Sequence, residues 1–200
     1  LYRHADQLLV NSPGFIPHIQ ARLSREKDIA LIANGADAAM FTPDDDGAAF
    51  RAQHGLTGKF VALYAGAHGL SNDLGVLLDA AELLADQPEI AIALLGDGKD
   101  KPALQARAAE RGLTNVYFIP PVPKDGMAAA LAAADACIAI LKPIDMYKTV
   151  YPNKVFDYLA AGRPIVMAID GVARQVVEEA RAGQFAQPGD PQAVAGVIRR

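Results

Sequence analysis

Two hundred residues, 52% of them hydrophobic, suffice to bury one sizeable core, so a single domain or one large domain with a fragment is expected. A net charge of −4 with acids and bases interspersed lacks the positive face that nucleic-acid binding requires. A single cysteine excludes a disulfide framework and suits a reducing compartment, and no apolar stretch approaches the roughly 20 residues of a membrane span.

The opening residues LYRHADQLLV lack the order of a signal peptide. Residues 6–11 read as a short apolar strand, and Ser12-Pro13 opens a helix to about residue 23. Residues 29–33 form the next strand, closed by the turn pair Asn34-Gly35. Asp44-Asp45-Asp46-Gly47 is an exposed acidic loop whose spacing does not suit a metal. A short helix over 48–54 follows. From residue 60 the pattern is regular: strands 60–64, 90–95, 116–119 and 136–141 alternate with helices 74–85, 102–111 and 127–134. These strands are unbroken apolar runs, so both faces are covered, as in a parallel sheet between helices. Cys137, inside such a run, reads as a buried inert thiol. The expected fold class is α/β, a doubly wound, Rossmann-like parallel sheet.

Residues 147–166 read YKTVYPNKVFDYLAAGRPIV. Pro152 fits the first position of a helix, Gly162 supplies its left-handed stop, and Arg163-Pro164 leads into strand 164–168. Val155, Phe156 and Leu159 share one arc of that helix and Asp157 lies opposite Leu159. Free N–H groups near Asn153 make an anion site, and a carboxylate one turn further can accept sugar hydroxyls; the plainer alternative is a solvated acid. Helix 172–182 and a connection over 183–188 follow, and Asp190-Pro191 caps a final helix in which the chain stops at Arg200. With no initial methionine, the chain reads as part of a longer protein.

In open parallel sheets ligands bind beyond the carboxyl ends of the strands. Gly66, His68 and Gly69 lie in the first such loop, where glycine lets backbone approach a phosphate. Gly96-Asp97-Gly98 forms the next, with Lys99 and Lys101 as sources of positive potential; a dinucleotide fingerprint would need glycine at Lys101. Pro121 and Val122 sit in a proline-stiffened loop, and Asp145, Tyr147 and Lys148 precede the central helix.

The run PNKVFDYLAAGRPIV resembles the P-S-K-x-x-E-Y-x-A-x-G-x-P-V segment of retaining family-4 glycosyltransferases of the GT-B fold, especially those building bacterial surface polysaccharides. IANGADAAMFTP is similar to the P-N-G-x-D-x-x-x-F-x-P signature between the two halves of those enzymes, with Ala33 at the first proline. Tyr64 to Gly69 resembles their Y-x-G-x-x-G segment, and Gly96-Asp97-Gly98 their G-x-G turn beside the nucleotide. The resemblance implies that Asp157, one methylene shorter than the family glutamate, binds the donor ribose. Thr149 stands where a glutamate touches the donor sugar. The first loop carries neither the arginine nor the lysine of the family's pyrophosphate clamp, which leaves His68 as its candidate replacement. Tyr151, Pro152, Asn153 and Lys154 would form the diphosphate site, with Lys154 as its cation, and Pro121 and Val122 would present backbone to the nucleobase.

The resemblance further implies that residues 1–40 end an N-terminal half and connect it to a nucleotide-sugar-binding domain over 41–200. The donor would be a nucleotide diphosphate sugar, UDP-linked before others, transferred with retention to a polysaccharide, lipid-linked or lipopolysaccharide acceptor held by the preceding half. No tightly bound metal or other cofactor and no nucleic acid is implied. The full-length enzyme would be cytoplasmic, with peripheral association at the inner face of the membrane. The alternatives are a nucleotide-sugar epimerase of GT-B architecture and a non-catalytic nucleotide-binding domain.

Overall fold

Short apolar runs flanked by turn residues pair first at the amino end of the chain. In the computed structural model, which describes residues 2–41 and 46–200, β1 (Leu8–Val10) and β2 (Ile29–Leu31) lie parallel in a sheet of their own, joined through α1 (Phe15–Gln20). Pro43 of the connecting signature and Asp44-Asp45 of the acidic loop lie outside the described residues. Next come α2 (Ala48–Gln53), β3 (Phe60–Ala65), α3 (Gly75–Leu83), β4 (Ile90–Leu95), α4 (Lys101–Glu110) and β5 (Val116–Ile119). The chain then crosses the sheet through α5 (Met127–Ala132) to β6 (Ala136–Ile140). It ends with α6 (Asn153–Ala160), β7 (Ile165–Ala168), α7 (Val172–Glu179), β8 (Gly183–Phe185) and α8 (Pro191–Ile198).

The six strands β3 to β8 form one sheet, ordered β5-β4-β3-β6-β7-β8, with every neighbouring pair parallel. Their side chains alternate between two separate cores. Ala62, Tyr64, Ile92 and Leu94 face α3, α4 and α8 through Leu77, Leu104 and Val194. Leu63, Ala65, Leu95 and Met167 face the opposite layer through Phe50, Leu131, Val155, Tyr158 and Val177. This is the expected doubly wound α/β arrangement. Its strand order reverses between β3 and β6, which opens the crevice where such sheets take ligands.

Most element ends differ from expectation by one or two residues, the usual fraying distance. Pro152 caps α6 with extended geometry (φ −69°, ψ 128°) and does not occupy its first turn. The expected connection over 183–188 contains strand β8, in which Gly183, Gln184 and Phe185 pair with Ile165, Val166 and Met167. A side chain at Gly183 would run into the Ile165 carbonyl, so the missing Cβ is what lets this edge strand close on β7. Asp190 caps α8 as expected, accepting from the N–H groups of Gln192 (2.9 Å) and Ala193 (3.1 Å). Among the described residues no helix is long and apolar enough to cross a membrane.

Candidate functional site

Helix α6 is fixed over the β3–β6 crevice by its own sequence. Val155 and Tyr158, three residues apart, share its buried face. The Tyr158 hydroxyl accepts from the Ala65 N–H at 3.0 Å and lies 3.4 Å from the carbonyls of Ala65 and Ile138, so one phenol ties the helix to the carboxyl end of β3 and to β6. Among the described residues no side chain caps the helix start and nothing accepts from the N–H groups of Asn153 and Lys154; the Pro152 carbonyl accepts the Val155 N–H at 3.1 Å. Exposed Asn153 accepts at its side-chain oxygen from the Asn34 amide, 2.6 Å away. Two motifs 119 residues apart thereby meet.

Lys154 does not extend into the open helix start as the sequence reading expects. Its Nζ turns inward to 3.8 Å from the centroid of the Tyr64 ring, is buried, and has no hydrogen-bond partner among the described residues. A Cβ on Gly66 would stand 2.8 Å from it, so the glycine leaves the hollow that the four-carbon stem reaches. Burial pulls the amine down to about 7. His68 is likewise no exposed clamp residue. It is 0% exposed, with its ring 6.1 Å from that of Tyr64 and 6.5 Å from that of Phe118, and neither ring nitrogen has a hydrogen-bond partner among the described residues. Burial lowers its pKa, Lys101 and, when charged, Lys154 push the same way, and Asp97 and the Leu95 backbone oppose them; with its pKa lowered, the imidazole is mostly neutral at pH 7.

The glycine loops after β3 and β4 bind each other. The Gly66 N–H donates to the Leu95 carbonyl (3.0 Å), the His68 N–H to Asp97 (2.7 Å) and the Asp100 N–H to His68 (3.0 Å). Side chains on Gly96 and Gly98 would collide with the carbonyls of Gly66 and His68, so this loop contact is what requires both glycines. Exposed Asp97 accepts from the Gly98 N–H at 2.8 Å. Lys101, expected to lend open positive potential, instead donates to the Gly96 carbonyl at 2.6 Å. Gly69 stays extended at the outer edge of the first loop (φ −123°). Pro121 is exposed, while Val122 packs against the core beneath it.

Asp157 is half-buried one turn along α6, and its carboxylate makes no hydrogen bond or ion pair among the described residues. Burial raises its pKa, with Lys124 opposing. Thr149 ends a 3-10 turn over Asp145–Thr149. Its hydroxyl donates within that turn to the Met146 carbonyl (2.6 Å), and its own carbonyl accepts from the buried Ser12 hydroxyl. The ring of Tyr151 stands edge-on to that of Phe156, 5.6 Å between centroids. Tyr147 donates to the Ser71 hydroxyl at 2.8 Å, tying this turn to the loop after β3.

The structure sets Lys154 Nζ against Gly66 and carries Asn153 and Asp157 one turn apart on α6, while sequence reasoning passes over Tyr64, Ser12 and Tyr158. A tyrosine two residues before the first loop glycine is the signal available for Tyr64. Two large hollows lie elsewhere. One of about 660 Å³ sits at the amino ends of β6 and β7 beside Asp135, Pro164 and Gly183, and one of about 1000 Å³ lies between β1, α1 and Met146. Neither reaches Gly66, Lys154 or Asp157. Among the described residues no group of three or more His, Cys, Asp or Glu side chains is placed to hold a metal.

The family model described as glycosyl transferases group 1 matches residues 59–200. The WcaI protein of Escherichia coli strain K12, named as a glycosyl transferase of colanic acid biosynthesis, is 31% identical over 147 residues, covering 72% of this chain and 36% of the relative. A D-inositol 3-phosphate glycosyltransferase of a Nocardioides species is 32% identical over 190 residues, covering 86% of this chain and 40% of the relative. The chain thus spans well under half the length of these relatives. Among solved structures, Anabaena HepE in complex with UDP-glucose superposes with a TM-score of 0.84 at 23% identity, over 99% of this chain and 54% of that one. WaaG, a glycosyltransferase involved in lipopolysaccharide biosynthesis, superposes with a TM-score of 0.78 at 17% identity, over 98% and 54%.

Proposed function

The chain belongs to the group 1 glycosyl transferases, and from that premise we propose that it is the donor-binding half of a retaining, family-4 enzyme that uses a nucleotide diphosphate sugar, with UDP as the favoured nucleotide. The observation that carries the reading is the start of α6. Open N–H groups at Asn153 and Lys154, the Lys154 amine under Gly66, and the unengaged carboxylate of Asp157 lie along one helix at the sheet's crevice. A diphosphate on the helix start would be held by the N–H groups and the helix dipole, and Lys154 would add a charge-assisted hydrogen bond as the glycosidic bond breaks. Asp157 would accept two ribose hydroxyls. Such stabilisation of the leaving diphosphate needs no tightly bound metal.

Residues 1–40 would belong to the end of the N-terminal half and the connection from it. The acceptor, a polysaccharide or lipid-linked glycan, would be bound mainly by that other half, at the cytoplasmic face of the membrane. WcaI and WaaG support this acceptor class by their named pathways, and the UDP-glucose complex of HepE supports the donor class.

A second reading, a domain that binds nucleotide without transferring sugar, is favoured by Thr149, whose hydroxyl is engaged inside its own turn where the family glutamate would stand. Calorimetric titration with UDP, UDP-sugars and uridine tests the donor site: UDP should bind clearly more tightly than uridine, and absence of any nucleotide binding would remove it. Sugar transfer by the full-length enzyme separates the two readings.

A further inference from the structure

The Lys154 residue is half-buried, and its Nζ is fully buried. From β3 comes the Tyr64 ring, 3.8 Å from Nζ; from the following loop come the bare backbone of Gly66 and the neutral imidazole of His68. On α6 itself the next titratable groups are Asp157 and the buried phenol of Tyr158, whose hydroxyl is already bonded to β3. Beyond the first loop, Asp97 holds the Gly98 N–H and Lys101 holds the Gly96 carbonyl. None of these carboxylates forms an ion pair with Lys154, and its Nζ donates to no group among the described residues. The Tyr64 ring face attracts an ammonium, but without a hydrogen-bond acceptor or counter-charge a buried ammonium remains costly, and the usual outcome is that the group gives up its proton.

Resting on the donor-site reading above, we infer that Tyr64 and Gly66 form a dry seat that stores Lys154 as the neutral amine, and that a nucleoside diphosphate binds together with one proton, taken from solvent by Nζ. The step balances simply. The amine lone pair takes a proton from water or buffer, and the resulting ammonium donates to a phosphate oxygen whose negative charge keeps it protonated. Binding of the anion thus supplies the counter-charge that the empty site lacks. Tyr64 is a positioning residue here: its ring sets where the amine rests and does not touch the ligand.

The measurable consequence is proton linkage. The amine is depressed to about 7 in the free chain, and the bound diphosphate restores it upward. UDP affinity is therefore full below about pH 7 and falls by up to about tenfold per pH unit above it. Uridine, which lacks the charge, should show no such slope. UDP itself contributes nothing in this range, because its terminal phosphate loses its last proton near pH 6.

The test is titration calorimetry of the 200-residue chain with UDP at pH 8 in two buffers of different ionisation heat. Wild type should take up about one proton per UDP. Lys154→Met, which keeps the volume of the stem, should take up none, and Tyr64→Phe, which keeps the ring, should behave as wild type. UDP bound by wild type without proton uptake, or with equal uptake by Lys154→Met, would overturn the storage of a neutral amine while leaving the donor site standing. Failure of UDP to bind at all would remove the donor site, and this inference with it.

Discussion

Replacing Lys154 with methionine should stabilise the fold, and by an amount that shrinks as pH rises. In the unfolded chain the amine keeps its ordinary value of 10.5, whereas in the folded chain burial holds it at about 7. At about 1.4 kcal/mol per tenfold change in the proton equilibrium, folding with this amine costs roughly 4 kcal/mol at pH 7 and about 5 kcal/mol well below it. The sign follows from proton counts: between about pH 7 and 10.5 the unfolded chain binds the extra proton, so stability rises with pH across that window. From pH 7 to pH 9 wild type should gain about 2 kcal/mol relative to Lys154→Met, or about 4 to 8 °C in Tm for a domain of this size. Thermal melts of both proteins from pH 6 to pH 9.5 measure it. The difference between the curves isolates Lys154, because other titrating groups, including the Cys137 thiol that burial pushes up, are common to both. Parallel profiles, or a wild type that loses ground as pH rises, would refute the buried, unpartnered amine.

Asp157→Ala should weaken UDP and uridine alike by roughly 1.5 to 3 kcal/mol, the range for hydrogen bonds to a charged group, with little change in Tm because the carboxylate has no partner to lose; calorimetry beside a melting curve reads both. Tyr158→Phe should leave the buried Ala65 N–H unpaired and cost about 1 to 3 kcal/mol in urea unfolding. Gly96→Ala, at φ 137° and against the Gly66 carbonyl, should part the two glycine loops and destabilise the fold by at least about 1 kcal/mol, together with a loss of UDP affinity. An alanine variant with wild-type melting and binding would show that the loop contact is dispensable.

The sheet was legible where strands carry their own signal. Val61 to Ala65, Ile90 to Leu95 and Ala136 to Ile140 are apolar without interruption because both faces are covered, and burial on both faces identifies a parallel sheet without reference to any partner. Gly183-Gln184-Phe185 has no such pattern: it is a strand only because β7 offers it an edge, and three residues cannot announce a partner. In the site, the helix start and the position of Asp157 followed from local spacing, since a proline, a polar turn and a glycine stop lie within one short segment. The course of Lys154 did not. It depends on a hollow at Gly66 and a ring at Tyr64, both about 90 residues earlier in the chain. His68 was misread for the same reason, because a histidine in a glycine-rich loop looks exposed until Tyr64 and Phe118 close around it. That the Thr149 carbonyl is held by Ser12 is equally non-local.

The most direct test of the donor site is a crystal structure of this chain with UDP bound. The diphosphate should lie on the N–H groups of Asn153 and Lys154 beside Gly66, within hydrogen-bond reach of Lys154 Nζ, and the ribose should rest against the Asp157 carboxylate. UDP found instead in the hollow between β1 and Met146, or on the carboxyl face with its diphosphate away from the start of α6, would contradict the account.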